Sequence, residues 1–490
     1  MRTLQRPVGY HTMLWTSRVP WGSGSLPSPP DHKLSRSRVD RSIQKSSEVP
    51  VERERGQAGA TGGRRGGTRF QTFTSLQHRD FVFLWLSNLC NASANWFQQF
   101  TVPWLVWDIS HSPLWVGIAA GMRSFPFLFI GPLAGVLADR VDRRKLVLVI
   151  QTVLAAVVFA FAVAVLKGYV IPKAGNIHNA PTGVNPGVLY ATAFTFLTGT
   201  LHALIQPVRQ AMVANTVPRR DLWNAIALNS IAGNMARVVG PALGGVIYAL
   251  LSPAANFFIQ GGLFLLMALM MVPLNLPYRE EGTARRASVL TNLKQGFSYV
   301  ASERVIRRLL LLSYIPALFA ASILQMIPVI ADRVLAQGPE VGGVLVGAMG
   351  VGGIVGTIGF ASMGGMANRG GIGLLALTLL SGSVLALGIS TRLLVSLAAM
   401  FCMGFFRIAF QINNNTLLQS RIPDGLRGRV MALYHLDSGF TPLASMAVGF
   451  MASFLPVQRV VVLVGSFSLT LAIYAFFAYA DVRRMAEGQT

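Results

Sequence analysis

Apolar stretches of bilayer-crossing length constrain this chain more than anything else in it. They run near 80–107, 112–138, 144–167, 187–209, 221–251 and 254–277, then near 307–331, 341–366, 371–390, 392–418, 428–455 and 457–481. Each is roughly 20 to 30 residues long, what an α-helix needs to cross a hydrocarbon core. A lipid-exposed segment must satisfy its own backbone hydrogen bonds, which a helix does by itself. The expectation is an all-α polytopic membrane protein with twelve transmembrane helices in two sets of six. Composition agrees: of 490 residues 52% are hydrophobic and 12% charged, too little polar surface to coat a soluble globule of this size.

The implied organisation is a basic leader over 1–75, a six-helix bundle over 76–277, a polar linker over 278–306, a second bundle over 307–482 and a tail over 483–490. The leader carries 13 Lys and Arg against 5 Asp and Glu among Ser, Gly and Pro, and reads as disordered. It lacks an apolar core of signal-peptide length, so it does not resemble a cleaved secretory signal. In the linker, Leu293 to Val300 suits a surface helix. A net charge of +23 in a soluble protein would suggest nucleic acid, but here the cations gather in the leader and in alternate short loops, so no nucleic-acid partner is expected.

Loops on the leader's side hold Arg140, Arg143, Arg144, Lys145, Arg209, Arg219, Arg220, Arg369, Arg421, Arg427 and Arg429, while the opposite side has chiefly Lys167, Lys173, Arg333 and Arg459. That asymmetry puts both termini in the cytoplasm of a multi-pass protein of the plasma (inner) membrane. A faint internal repeat supports two related halves: Val217–Leu228 aligns without gaps to Ile422–Leu433. Such halves enclose a site near the midplane in many transporters.

Polar residues inside spans are costly in lipid and mark candidate sites. In the first span Asn88, Asn91, Asn95 and Gln98 recur at three- and four-residue steps and share one helix face. In the tenth, Arg407, Gln411, Asn414 and Asn415 do the same, and in the fifth so do Ser230, Asn234 and Arg237. Two readings stand for the first and tenth stripes, the wall of a wet substrate cavity or hydrogen-bond glue between helices. Arg237, beside a glycine-rich kink, is read as structurally paired. Spans three, six, nine and twelve are the most nearly all-apolar.

Of 19 acids, Asp437 is the one that falls well within a span, seven residues beyond Val430. Either it binds and releases a coupling proton, or it forms a fixed ion pair with a neighbour such as His435 or Arg407. No cofactor is implied. Cys90 and Cys402 lie in apolar helices, His202 and His435 lack metal-ligand spacing, and the eighth span's glycines lack a phosphate-binding Lys-Ser/Thr ending. No catalytic triad or dyad is visible, so the chain is not read as an enzyme.

The loop Gly135-Val136-Leu137-Ala138-Asp139-Arg140-Val141-Asp142-Arg143-Arg144-Lys145-Leu146 joins the second and third spans. It resembles the loop between helices 2 and 3 of the major facilitator superfamily, with Asp142 replacing a glycine as in the enterobactin-exporter-like, or transmembrane secretion effector, branch. The resemblance makes Gly135, Asp139, Arg140, Asp142, Arg143 and Arg144 a gating loop, although a charge run fixing topology explains it as well. Gly240-Pro241-Ala242-Leu243-Gly244-Gly245 resembles the end of an exporter motif, with Ala227 and Ala236 where two earlier glycines are usual. It makes Arg237, Gly240, Pro241, Gly244 and Gly245 a bending or rocking element, with close helix packing the plainer alternative.

Pro207-Val208-Arg209-Gln210-Ala211, Asn413 to Gln419 and Arg427-Gly428-Arg429-Val430 are similar to the same family. Many members have an acid where this chain has Ile205, so any coupling through that acid is ruled out here. The resemblance implies a secondary transporter working by alternating access as a monomer. It would exchange protons for a small amphipathic molecule such as a siderophore, antibiotic or other drug. An importer of the same fold, or a non-transporting membrane scaffold or sensor, are the alternatives.

Overall fold

The computed structural model describes residues 71–140, 142–171, 185–213, 216–218, 221–274, 289–362, 368–434 and 436–485. Most of the leader (1–70), the start of the linker with Arg285 and Arg286, the 172–184 loop, Arg219, Arg220 and His435 lie outside the described residues.

The described chain is helical throughout. A 3₁₀ turn, Gln71–Gln77, precedes α1 (Arg79–Ser110), α2 (Pro113–Arg140), α3 (Arg143–Leu166), α4 (Pro186–Val213), α5 (Leu222–Leu250) and α6 (Pro253–Met271). After α7 (Val289–Ser302) come α8 (Arg304–Ile315), α9 (Ala321–Leu324), α10 (Ile327–Arg333), α11 (Pro339–Ser362), α12 (Arg369–Ile389) and α13 (Leu393–Arg421). The rest is α14 (Asp424–Tyr434), α15 (Asp437–Phe454), α16 (Val457–Ala478) and α17 (Ala480–Arg483).

Local chemistry sets the ends. Pro253 opens α6 behind Ser252, whose hydroxyl accepts from the Ala255 amide, and Asn368 caps α12 by accepting from the Gly371 amide. His111 closes α1 in the left-handed region at φ 46°.

Two of the expected spans are broken. The seventh is α8, a π turn over Pro316–Ala320, α9 and α10, because Pro316 and Pro328 each remove a backbone donor from the ladder. The eleventh comprises α14 and α15, with Leu436 in a turn before Asp437. The linker's surface helix is present as α7, longer than Leu293 to Val300.

The expected leader boundary at residue 75 is corrected: its last residues are held against α5. Ser75 donates its amide to Asn224 and its hydroxyl to the Asp221 carbonyl, while His78 Nε2 meets Asp221 Oδ2 at 3.0 Å, pinning this segment to the start of α5. At the far end Arg308 pairs with Asp481 and lies over the Tyr479 ring, and Met485 accepts from the Gly370 amide, so the chain folds back after α16.

Among the described residues eight helical stretches are long and apolar enough to cross a membrane: Arg143–Leu166, Pro186–Gln206, Pro253–Met271, Arg304–Leu324, Pro339–Phe360, Arg369–Ile389, Leu393–Arg421 and Val457–Ala478. Their outward sides carry large apolar groups, among them Val149 and Leu166 on α3, Leu269 on α6, and Phe467 and Phe477 on α16. Apolar surface of that extent needs lipid against it.

Within α1–α6 the main packings are α1 with α5 and α6, α2 with α4, and α3 with α6. Later in the chain α13 packs on α11 and α12, and α12 on α16. The two sets meet along α2 with α15 and α5 with α11. Glycines permit both meetings. The Cα of Gly449 sits 3.1 Å from where a Cβ on Gly117 would be, and the Cα of Gly343 is equally near that position on Gly245.

Candidate functional site

The polar face of α1 runs into the middle of the molecule, and the structure sorts its residues. Gln98 is fully buried and donates to Thr198 Oγ1 at 2.6 Å, so it faces α4 and not a wet cavity. Asn88 donates to Asn229 Oδ1 at 2.8 Å and accepts from Arg209. Asn95 accepts from Arg123 Nη2 at 2.8 Å and donates to the Asn91 carbonyl. The Asn91 Oδ1 atom is buried with no hydrogen-bond partner among the described residues.

Arg209, expected among the loop cations, instead lies inside α4, 5% exposed, between Asn88 and the Met267 sulfur. Its helix continues past the point where apolar periodicity fades. Arg123 and His202, which the polar-stripe argument passed over, join the same network. His202 is buried with Nδ1 against the Thr198 carbonyl at 2.9 Å. Their signal in the sequence was simply that they are ionisable groups within long apolar runs.

The unequal partners give a contrast to measure. Asn88→Ala removes the acceptor of a buried guanidinium and is expected to destabilise by about 2–3 kcal/mol. Asn91→Ala, which removes an unpartnered carbonyl, should be near neutral. Thermal midpoints of the two purified variants check this.

On α13 the stripe also divides. Asn414 is buried and donates to the Leu309 carbonyl of α8 at 3.2 Å, whereas Gln411 is exposed. Asn415 accepts from Gln419, and Arg407 lies near the middle of the helix. Arg237 has its guanidinium carbon 5.4 Å from the centre of the Trp96 ring. The expected structural pairing of Arg237 is not found: among the described residues it has no hydrogen bond or ion pair, and its Nε is buried and unpartnered.

The α5 motif works as packing surface. A Cβ on Gly240 would meet the Trp96 side chain at 2.7 Å, one on Gly244 would meet Phe100 at 3.3 Å, and one on Gly245 would strike the Pro339 carbonyl. Pro241 sits inside a helix that runs unbroken from Leu222 to Leu250 and lines a small cavity with Trp96, Gln99, Phe100, Trp104 and Pro328.

Toward the His111 end this cavity is closed by contacts between α1 and α10. Trp107, 2% exposed, donates its indole N–H to Asp332 Oδ2 at 3.1 Å, and the Arg333 guanidinium lies 4.6 Å from the centre of the same indole. Arg333 also donates to the His111 carbonyl at 2.9 Å, and Tyr248 donates to Asp108 at 2.6 Å.

In the α2–α3 loop, Asp142 is the N-cap of α3, accepting from the amides of Arg144 at 2.9 Å and Lys145 at 3.3 Å. Arg144 donates to the carbonyls of Met271 and Val272, closing the end of α6. Both residues thus tie α3 to its neighbours. Gly135, Asp139 and Arg140 belong to α2, and their side chains lie outside the described residues. Asp437 is the first residue of α15 and follows the break, so its depth cannot be counted along one helix from Val430; its side chain also lies outside the described residues.

The family profile described as transmembrane secretion effector matches residues 70–489. The chain belongs to that family, a branch of the major facilitator superfamily. Among its relatives is the staphyloferrin A transporter of Staphylococcus aureus, 23% identical over 80% of this chain and 94% of its own length. The enterobactin exporter EntS of Citrobacter koseri is 26% identical over 68% of this chain and 75% of its own length.

The fold is similar to that of the nucleoside transporter NupG, with a TM-score of 0.63 at 14% identity over 83% of this chain and 99% of that one. It is also similar to a bacterial homologue of the iron transporter ferroportin in an inward-facing state, with a TM-score of 0.61 at 18% identity over 82% and 98%. The chain is therefore an integral, multi-pass membrane protein of a transporter family.

Proposed function

We propose that the chain is a secondary active exporter that moves a small amphipathic molecule outward in exchange for protons. Twelve crossings in two six-helix bundles, 76–277 and 307–482, would rock about a midplane site, with both termini in the cytoplasm of the inner membrane. The working unit is one chain.

The observation that carries this reading is the closure at one end. Trp107, Asp332, Arg333 and His111 join α1 to α10 where the short connections 111–112, 251–252 and 334–338 lie. The cation count reads that end as external, so these contacts would form the outer seal. Alternating access needs such a seal, and it needs the seal to be breakable, which a handful of polar and ring contacts provides. The relatives' names, staphyloferrin A transporter and enterobactin exporter, support a siderophore-like cargo and the outward direction.

Substrate-stimulated proton release from everted vesicles tests the reading, using dyes, antibiotics and siderophores on wild type and Asp437→Asn. Wild type is expected to couple at least one compound to proton flux, each charge crossing 100 mV contributing about 2.3 kcal/mol. The variant is expected to lose the coupling. Unchanged flux in Asp437→Asn removes that residue from the coupling step, and accumulation running only in the opposite direction makes the protein an importer.

A further inference from the structure

Away from the centre of the molecule, α3 packs chiefly on α6 and α4 chiefly on α2, and between α3 and α4 runs an open-sided groove of about 690 Å³. Small side chains make room for it, Ala160 and Ala164 on α3 and Ala193 on α4. Its floor is aromatic: the buried rings of Phe161 and Phe194 stack at 4.0 Å, and Phe257 of α6 meets Phe161 edge-on at 5.0 Å. Apart from the phenols of Tyr169 and Tyr190, every side chain that lines the groove is apolar.

Its length matches a simple object. On α4 the lining runs from Pro186 to Leu197, about 16 Å at the rise of an α-helix. One leaflet of a hydrocarbon core is about 15 Å deep. Tyr169 and Tyr190, both exposed, stand toward the end where α3 finishes and α4 begins, as tyrosines do at a membrane–water interface. Lys167 caps that end of α3, exposed and two residues before Tyr169. The groove is therefore a slot one leaflet long, apolar along its body and with phenols and a cation at its head.

We propose that this slot is the seat of one anionic glycerophospholipid, its acyl chain lying between α3 and α4 and its phosphate beside Lys167 and the two tyrosine hydroxyls. The proposal rests on the chain being a multi-pass membrane protein and stands apart from the export reading. Ala160, Ala193 and Leu197 are exposed along the slot, on the side where a membrane helix meets lipid. Water there would find no polar partners below the tyrosines. A solute with polar groups along its length would leave them unpaired against alanine and phenylalanine. An acyl chain has none, and its headgroup meets the one end of the slot that offers donors.

The test uses full-length protein in phosphatidylcholine nanodiscs holding a minor fraction of phosphatidylglycerol with a diazirine in mid-chain. After photolysis, adducts should fall several-fold more densely on the peptides 157–169 and 186–197 than on the outward face of α16 around Phe467 and Phe477, and unlabelled phosphatidylglycerol should compete. Ala193→Phe, which fills the slot, should remove the excess, whereas Leu269→Phe on the outward face of α6 should leave it. The same diazirine on phosphatidylcholine should label the slot about fivefold less, the effect of one cation near an anionic headgroup. Lys167→Gln should abolish that preference and Lys167→Arg keep it.

Even labelling of all outward faces would mean ordinary bilayer contact and overturn the proposal, as would an undiminished excess in folded Ala193→Phe. Should that variant not fold, Lys167→Gln at the exposed end of α3 decides: an unchanged preference for phosphatidylglycerol sinks the headgroup seat. Displacement of the adduct by a hydrophobic dye but not by phosphatidylglycerol would assign the slot to cargo, and protein dimers free of lipid adduct would assign it to a second copy. Either result overturns the lipid assignment while leaving export to its own flux test.

Discussion

Trp107→Ala is expected to unseal the His111 end. The indole is almost wholly buried, bonded to Asp332 and covered by Arg333, so one substitution removes a hydrogen bond to a charged acceptor, a cation–π contact and the packing of a large ring. Asp332 and Arg333 are themselves exposed, which weakens their electrostatic share. With that discount the loss still comes to about 2 kcal/mol, near a 30-fold shift toward the state open at this end.

A cysteine at Gln99, which lines the small cavity beside Trp96 and Trp104, reports the change when Cys90 and Cys402 are replaced. An impermeant maleimide added from the His111 side should label Gln99→Cys many times faster in the Trp107→Ala background. Asp332→Asn keeps an acceptor for the indole and should give a smaller increase. Labelling that is indifferent to Trp107 would mean the seal lies elsewhere and would remove the main support for alternating access in this chain.

The second large effect concerns α11 against α13. A Cβ on Gly404 would run into the Met349 carbonyl and one on Gly352 into that of Phe401, so the two helices are in backbone contact on both sides of the crossing. Neither obstacle is a flexible side chain that can swing away. Gly404→Ala is therefore expected to cost about 3 kcal/mol or more and to collapse folded yield, because the helices must separate along the contact. Gly428→Ala, with nothing within 4 Å of the added carbon, is the matched control and should express like wild type. Size-exclusion profiles of the two variants decide it. A monodisperse Gly404→Ala protein with wild-type yield would show that the pair is looser than its geometry.

Much of this architecture was legible in the order of residues because lipid imposes a simple rule: a long apolar run must be a helix. The expected starts of α2, α3, α4, α6 and α16 fall within a residue or so of the observed ones. What the rule misses is interruption. Pro316 and Pro328 sit in a run as apolar as its neighbours, and whether a proline bends, breaks or is absorbed depends on what packs beside it; Pro103 and Pro241 are absorbed.

The candidate site was legible as a set of faces but not as a set of partners. Periodicity put Asn88, Asn91, Asn95 and Gln98 on one stripe, yet their fates depend on Arg123, Arg209 and Thr198, which arrive from other helices. Likewise Arg237, read as structurally paired, lies against the Trp96 ring with a buried Nε that has no partner among the described residues. Asp142 looked like a departure from a motif and proves to be a helix cap, a role that aspartate fills better than the usual glycine.

The glycine crossings of α2 with α15 and of α5 with α11 both lie close to the His111 end. From Gly117 to the far end of α2, and from Gly245 to the far end of α5, each helix extends about 35 Å. Taken as two points on a hinge line, the crossings make these helices long levers with short butts. A swing of about 10° would carry the far tips about 6 Å while the near tips move only about 1 Å. On the proposed orientation, the end far from His111 could thus open to many widths at almost constant packing beside the pivots, so that cargo of different girth would be admitted without first disturbing the seal.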